Sequence, residues 1–221
     1  TQTPLNEQDL KTMSEAVEVL RQFKGFSYFT EMSDIINRLE DHVASARMKT
    51  TPVIDFEKNE SLKGLDYLDT IYHAIVNEHP IQLKYRSFKA RSANSFIFYP
   101  YLLKEYRNRW FVYGVRGNGR ILQNLALDRI QSLEVLPQEH YIKNTFFDPN
   151  TFFDDLVGVT KNSGSVAEKI GFKVAAAEAP YIITKPIHRS QQVVERLADG
   201  SVILEIEVVI NHELELSLIH I

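Results

Sequence analysis

The 221-residue chain has no cysteine at all. Disulfides, thiolate metal sites and cysteine nucleophiles are thereby excluded, and a reducing compartment is the natural setting. Nor does any run of about 18 apolar residues occur, and no charged-then-apolar leader opens the sequence, so neither a membrane span nor a secretory signal is expected and a cytoplasmic address follows. The catalytic signatures are missing as well. The seven histidines show no HExxH spacing, and there is no GxSxG, P-loop or GxGxxG; the glycines of RGNGR lie between two strand-like runs and not ahead of a helix. Asp154-Asp155 and Glu205/Glu207 are carboxylate pairs without partners and read as solvated surface. His188, in PIHRSQ, reads as a hydrogen-bonded structural histidine before it reads as a ligand contact. No catalytic residue, metal or cofactor is expected.

What is present is a core and an uneven charge. Hydrophobic residues make up 44% of the chain, ordinary for a globular protein. The net charge of −4 conceals a division: from Tyr67 to Leu136 ten basic residues face five acidic ones, a local excess of five positive charges that leaves −9 for the remainder. Between Tyr85 and Arg120 there are eight basic residues against the single Glu105. A basic centre in an acidic protein suggests an anionic ligand, because the local field steers ligands more than total charge does. Simple solvated surface charge is the competing explanation.

Hydrophobic period divides the chain into four parts. Residues 1–60 read as a helical connector region: Leu10, Met13, Val17 and Leu20 form one apolar stripe between Asn6 and Phe23, and Met32, Ile35, Ile36, Leu39 and Val43 form another from about Glu31 to Ala44. Residues 61–136 open with a third helix, about Ser61 to Glu78, stopped by Pro80. The period then changes from 3.6 to 2. IQLKY, FIFYPYLLKEY, RWFVYGVR, ILQNLALDRI and SLEVL read as five strands, with tight hairpins at Arg107-Asn108 and Gly117-Asn118-Gly119. Five short strands joined by hairpins are most economically closed into a small barrel, which removes the sheet edges. Residues 137–169 read as a loose linker with a turn or short helix at FFDPNTFFDD. Residues 170–221 follow the order β-α-β-β-α, with a hairpin around Asp199-Gly200 and Asn211 capping the final helix, as in a ferredoxin-like unit lacking its closing strand. The overall expectation is an α+β chain whose last unit is incomplete.

The stretch NRWFVYGVRGNGR concentrates the chemistry. On a strand, Arg109, Phe111, Tyr113 and Val115 share one face while Trp110, Val112, Gly114 and Arg116 share the other. One set fills the barrel, with Trp110 read as core, and the other covers neighbouring elements or meets a ligand. Arginine beside aromatic rings suits phosphates, which it bonds bidentately, and bases, on which it stacks.

YPYLLKEYRNRWFVYGVRGNGRILQNLALDRI resembles the signature region of WYL domains. Trp110-Phe111-Val112 stand where the name-giving Trp-Tyr-Leu occurs, Leu127-Asp128-Arg129-Ile130 match the LDRI ending, IQLKYRSF matches the first strand and Tyr99-Pro100 the second. The C-terminal part is similar to the extension that often follows such a domain. The resemblance implies an Sm-like (SH3-like) five-stranded barrel acting as the ligand-sensing and dimerising portion of a bacterial DNA-binding transcriptional regulator. The implied partners are single-stranded nucleic acid or a nucleotide-type anionic effector, a second copy of the chain, and promoter DNA through a winged helix-turn-helix that this sequence does not contain. Arg86, Arg109, Arg120 and Arg129 are the expected ligand cations, with Tyr85 and Tyr99 as aromatic neighbours. Where many members carry a further arginine this chain has Gln123, with Arg120 close enough to substitute. A pure oligomerisation or interaction module without a ligand is the alternative, and an enzyme acting on nucleotides a more distant one.

Overall fold

The computed structural model describes residues 63–117, 119 and 121–219, together with residues 12, 34 and 38. The expected helices at 6–23 and 31–44 and the connector after them lie essentially outside the described residues, as does Arg120. Gly64 opens the described body, leading through a 3-10 turn, Leu65–Tyr67, into helix α1, Leu68–Val76. The helix is shorter than the sequence pattern suggested. It ends before Pro80 because Glu78 takes a left-handed φ of 52° and the His79 amide donates to the Ala74 carbonyl at 2.8 Å, the 6→1 bond of a Schellman ending.

Five antiparallel strands follow: β1 (Ile81–Tyr85), β2 (Asn94–Tyr106), β3 (Arg109–Arg116), β4 (Leu122–Ala126) and β5 (Ile130–Val135), in the order β4-β3-β2-β1-β5. Arg107 and Asn108 both take positive φ, giving the two-residue hairpin the sequence indicates. The barrel expectation needs correction: β4 and β5 do not pair, so the sheet is not closed. It is nevertheless strongly coiled. Ala126 sits opposite Phe111 and through it Lys104, whereas Ile130 sits opposite Tyr85 and through it Asn94. In a flat sheet those ends would be about 19 Å apart across the strands and about 33 Å apart along them. The chain from Ala126 to Ile130 reaches at most about 14 Å. The sheet must therefore roll, and the irregularity between Pro100 and Leu102 lets β2 bend, pairing its first half with β1 and its second with β3. The ILQNLALDRI run is likewise not one strand. Its Leu127–Arg129 portion is a 3-10 turn that carries the chain from one sheet edge to the other, with Leu127 buried beneath it.

Inside the coil, Leu68, Ile71 and Ala74 of α1 pack with Ile81, Leu83, Phe98, Val112 and Leu125, and Trp110 lies partly buried against them. The outer face is also covered. Tyr99, Tyr101 and Val115 meet Tyr141, Phe146 and Phe147, while Tyr113 meets Phe147, Phe152 and Phe153. The segment after β5 is thus an aromatic cover laid in turns over the sheet and not a loose linker. Tyr113 and Asn124 both donate to the Val159 carbonyl, the latter at 2.8 Å. Burial of Tyr101 pushes its hydroxyl up to about 12, and burial moves that of Tyr113 further.

The second sheet has the order β6-β8-β7: β6 (Glu168–Val174), β7 (Gln192–Arg196) and central β8 (Val202–Val208), all pairs antiparallel. Helix α2 (Ala179–Thr184) joins β6 to β7, and α3 (His212–Ile219) follows β8. Asn211 caps α3 by accepting the Leu214 amide at 2.8 Å, while its amide donates to the Val157 and Thr160 carbonyls at 2.9 Å each. That one side chain starts the helix and ties it to the cover segment.

His188 joins the same two regions. Its Nδ1 accepts from the Ser190 amide at 3.2 Å, and burial lowers its pKa from the ordinary 6.5, opposed by a hydrogen bond to the Asp154 backbone carbonyl. Since the folded pKa lies below the unfolded one, the unfolded chain binds the proton more readily, and stability is complete above pH 6.5 and declines as pH falls below it. The thermal midpoint of the wild type should drop more between pH 7.5 and 5.5 than that of His188→Gln; parallel curves would remove His188 from this account.

Candidate nucleic-acid interface

Two adjoining depressions open at one end of the coiled sheet, on either side of Ser87, which lines both. The larger, about 420 Å³, is bordered by Lys63, Arg86, Phe88, Asp128 and Arg129. The smaller, about 200 Å³, is bordered by Tyr85, Asn94, Phe96, Arg116, Gln123 and Leu125. Both are partly open to solvent.

Backbone geometry assembles the larger one. The Arg86 amide donates to the Arg129 carbonyl at 3.1 Å, so the residue leaving β1 and the residue entering β5 are held side by side. Gly64 approaches the turn so closely that an added Cβ would stand 2.3 Å from the Leu127 carbonyl carbon, which sets Lys63 at the rim.

Each depression carries an arginine stacked on a phenylalanine. The Arg129 guanidinium lies 4.2 Å from the Phe88 ring centre, and that of Arg116 lies 4.0 Å from Phe96. Phe88 is 75% exposed, so its ring is held at the surface by the cation and not by a core. Tyr85 borders the smaller depression and interacts with Arg129 of the larger. Its burial raises the hydroxyl pKa and the Arg129 charge opposes that rise, leaving a neutral phenol at physiological pH. Asp128 pairs with Arg109 at 3.4 Å and approaches Arg129 at 4.0 Å.

Of the residues singled out from sequence, Tyr85, Arg86 and Arg129 are brought together here. Arg109 stands at the border, reaching the site only through Asp128. Tyr99 does not join them; it lies 9% exposed on the outer face, edge-on to Tyr141. Lys63, Phe88, Phe96 and Arg116 also line the site, although none is among the ligand residues the sequence indicates. Strand alternation carries a signal for two of them, since Arg116 continues the Trp110-Val112-Gly114 face and Phe96 the Phe98 face. Arg116, beside Gln123, supplies the cation of the smaller depression. Among the described residues, no group of three or more histidine, aspartate or glutamate side chains could hold a metal ion, and no helix is long and apolar enough to cross a membrane.

Residues 66–135 match the WYL domain. Among solved structures, proteasome accessory factor B/C (PafBC) of Arthrobacter aurescens is similar over 68% of this chain and 22% of that one, at 14% identity and a TM-score of 0.34. No curated protein sequence matches.

Proposed function

With residues 66–135 a WYL domain, we propose that the chain is the ligand-sensing and dimerising portion of a bacterial DNA-binding transcriptional regulator, and that its basic groove takes single-stranded nucleic acid. In this reading the coiled, unclosed sheet is Sm-like in its strand arrangement and residues 168–219 form a ferredoxin-like unit. The regulator is cytoplasmic, and promoter DNA is read by a winged helix-turn-helix in a longer protein. The observation that carries the reading is the pair of arginine-on-phenylalanine stacks facing two depressions across Ser87. Guanidinium planes present bidentate donors to phosphates and flat faces to bases, and base stacking on such platforms contributes about 1–3 kcal/mol per base. The two depressions adjoin across Ser87 and are partly open, so a strand can run across both and place a base or phosphate in each.

Fluorescence anisotropy with a labelled oligothymidylate tests this. Arg86, Arg116 and Arg129 would neutralise about three phosphates, so log K should fall with log salt at a slope of about −2. The duplex of the same length should bind more weakly. Affinity that is undetectable or independent of salt would remove nucleic acid as the ligand and leave a small anionic effector or a pure interaction module.

A further inference from the structure

We infer that Asp128 is an internal counter-ion of the groove, displaced from Arg109 and Arg129 by the incoming ligand, and that it thereby selects ligands bearing several phosphates over those bearing one. The inference rests on the proposed reading of the groove as a nucleic-acid site.

The Asp128 carboxylate lies between two arginines from different elements, 3.4 Å from Nε of Arg109 at the start of β3 and 4.0 Å from Nε of Arg129 beside it. Only 15% of the Asp128 side chain is exposed. Its Oδ1 and the Nε of Arg129 are both buried without a hydrogen-bond partner. Buried donors and acceptors are normally bonded, and those that are not are held at a free-energy penalty. Asp128 therefore screens Arg129 without the paired hydrogen bonds that would fix a guanidinium to a carboxylate. Arg86 and Arg116, by contrast, have no ion pair among the described residues.

The backbone at Asp128 is not free to move. Leu127 is buried beneath the turn, and Gly64 presses on the Leu127 carbonyl and the Asp128 amide. Only the side chain can swing away. A single phosphate arriving at Arg129 would exchange one anion for another and gain little. A strand already held at Arg86 and Arg116 presents its next phosphate to Arg129 at a high effective concentration, and that phosphate can replace the carboxylate. Arg109, whose side chain is 45% exposed, is then released to a further phosphate.

The test compares the wild type with Asp128→Asn, Asp128→Ser and the control Asp66→Asn, which removes a charge from an exposed position near Lys63. Labelled oligothymidylate is the probe and thymidine monophosphate the single-phosphate competitor. Thermal unfolding identifies any Asp128 variant that fails to fold, in which case the other is used. Asp128→Asn or Asp128→Ser should bind the oligothymidylate about tenfold more tightly than wild type, a difference of about 1.4 kcal/mol, and should be competed by thymidine monophosphate where wild type is not. Asp66→Asn should change affinity by less than about threefold. Wild-type binding that is unchanged or weakened in both Asp128 variants, or raised no more than in Asp66→Asn, overturns the counter-ion role and leaves the nucleic-acid reading standing. Absence of binding by wild type and every variant overturns both.

Discussion

Alanine at Gly114 is expected to destabilise the protein by about 3 kcal/mol or more, at the top of the range for overpacking a core. The Cβ would stand 2.1 Å from the Tyr99 carbonyl oxygen and 2.6 Å from the Phe98 ring. Neither obstacle can step aside. The carbonyl belongs to the bend where β2 passes from pairing with β1 to pairing with β3, and Phe98 is fully buried among Ile81, Leu83 and Val112. Since domains of this size are stable by only about 5–15 kcal/mol, the loss should be plain in urea denaturation. A loss below about 1 kcal/mol would mean that β2 and β3 separate easily there and that the bend does not hold the coil.

Alanine at Gly64 is expected to damage both stability and the groove. Gly64 has a φ of 82°, and its added Cβ would meet both atoms of the Leu127 carbonyl at 2.3 Å. The left-handed conformation alone costs an L-residue about 1–2 kcal/mol. With the clash added we expect about 3 kcal/mol in total. Relief requires the 3-10 turn Leu65–Tyr67 to move off the turn at Leu127–Arg129, which shifts Lys63, Asp128 and Arg129 relative to one another. Oligothymidylate affinity should therefore fall even in the fraction that remains folded. Normal affinity in a folded Gly64→Ala variant would show that the larger depression does not depend on this contact.

Where local chemistry decides structure, the sequence is readable here. RWFVYGVR is β3 from Arg109 to Arg116, its alternation separating Trp110 and Val112 inside from Tyr113 and Val115 outside. Asn211 caps its helix as its type and position suggest. The failures have a common physical origin in the packing of both sheet faces. Phe96 and Phe98 point one way and Tyr99 and Tyr101 the other, so aromatic content alone does not say which side meets the groove, and Tyr99 lies on the side away from it. The same doubt concealed the destination of Phe146, Phe147, Phe152 and Phe153. In a polar, proline-containing stretch they suggest a loop, yet they cover Tyr101 and Tyr113. Leu127-Asp128-Arg129 reads as strand by its flanks and becomes a turn because the chain must cross from one edge of the sheet to the other within a few residues. The site itself was half legible. Arg86 and Arg129 stand out by charge, whereas Lys63 and Phe88 reach the groove only through the Gly64 contact and the stack on Arg129.

Photocrosslinking of a 4-thiothymidine oligonucleotide to the protein, followed by mass spectrometry of the attached peptides, tests the central claim most directly. Crosslinks should fall on Tyr85, Phe88 and Phe96, the rings beside Arg129 and Arg116, and should be lost in the Arg116→Ala/Arg129→Ala variant. Crosslinks that map instead to residues 168–219, or that persist unchanged in that variant, would contradict it.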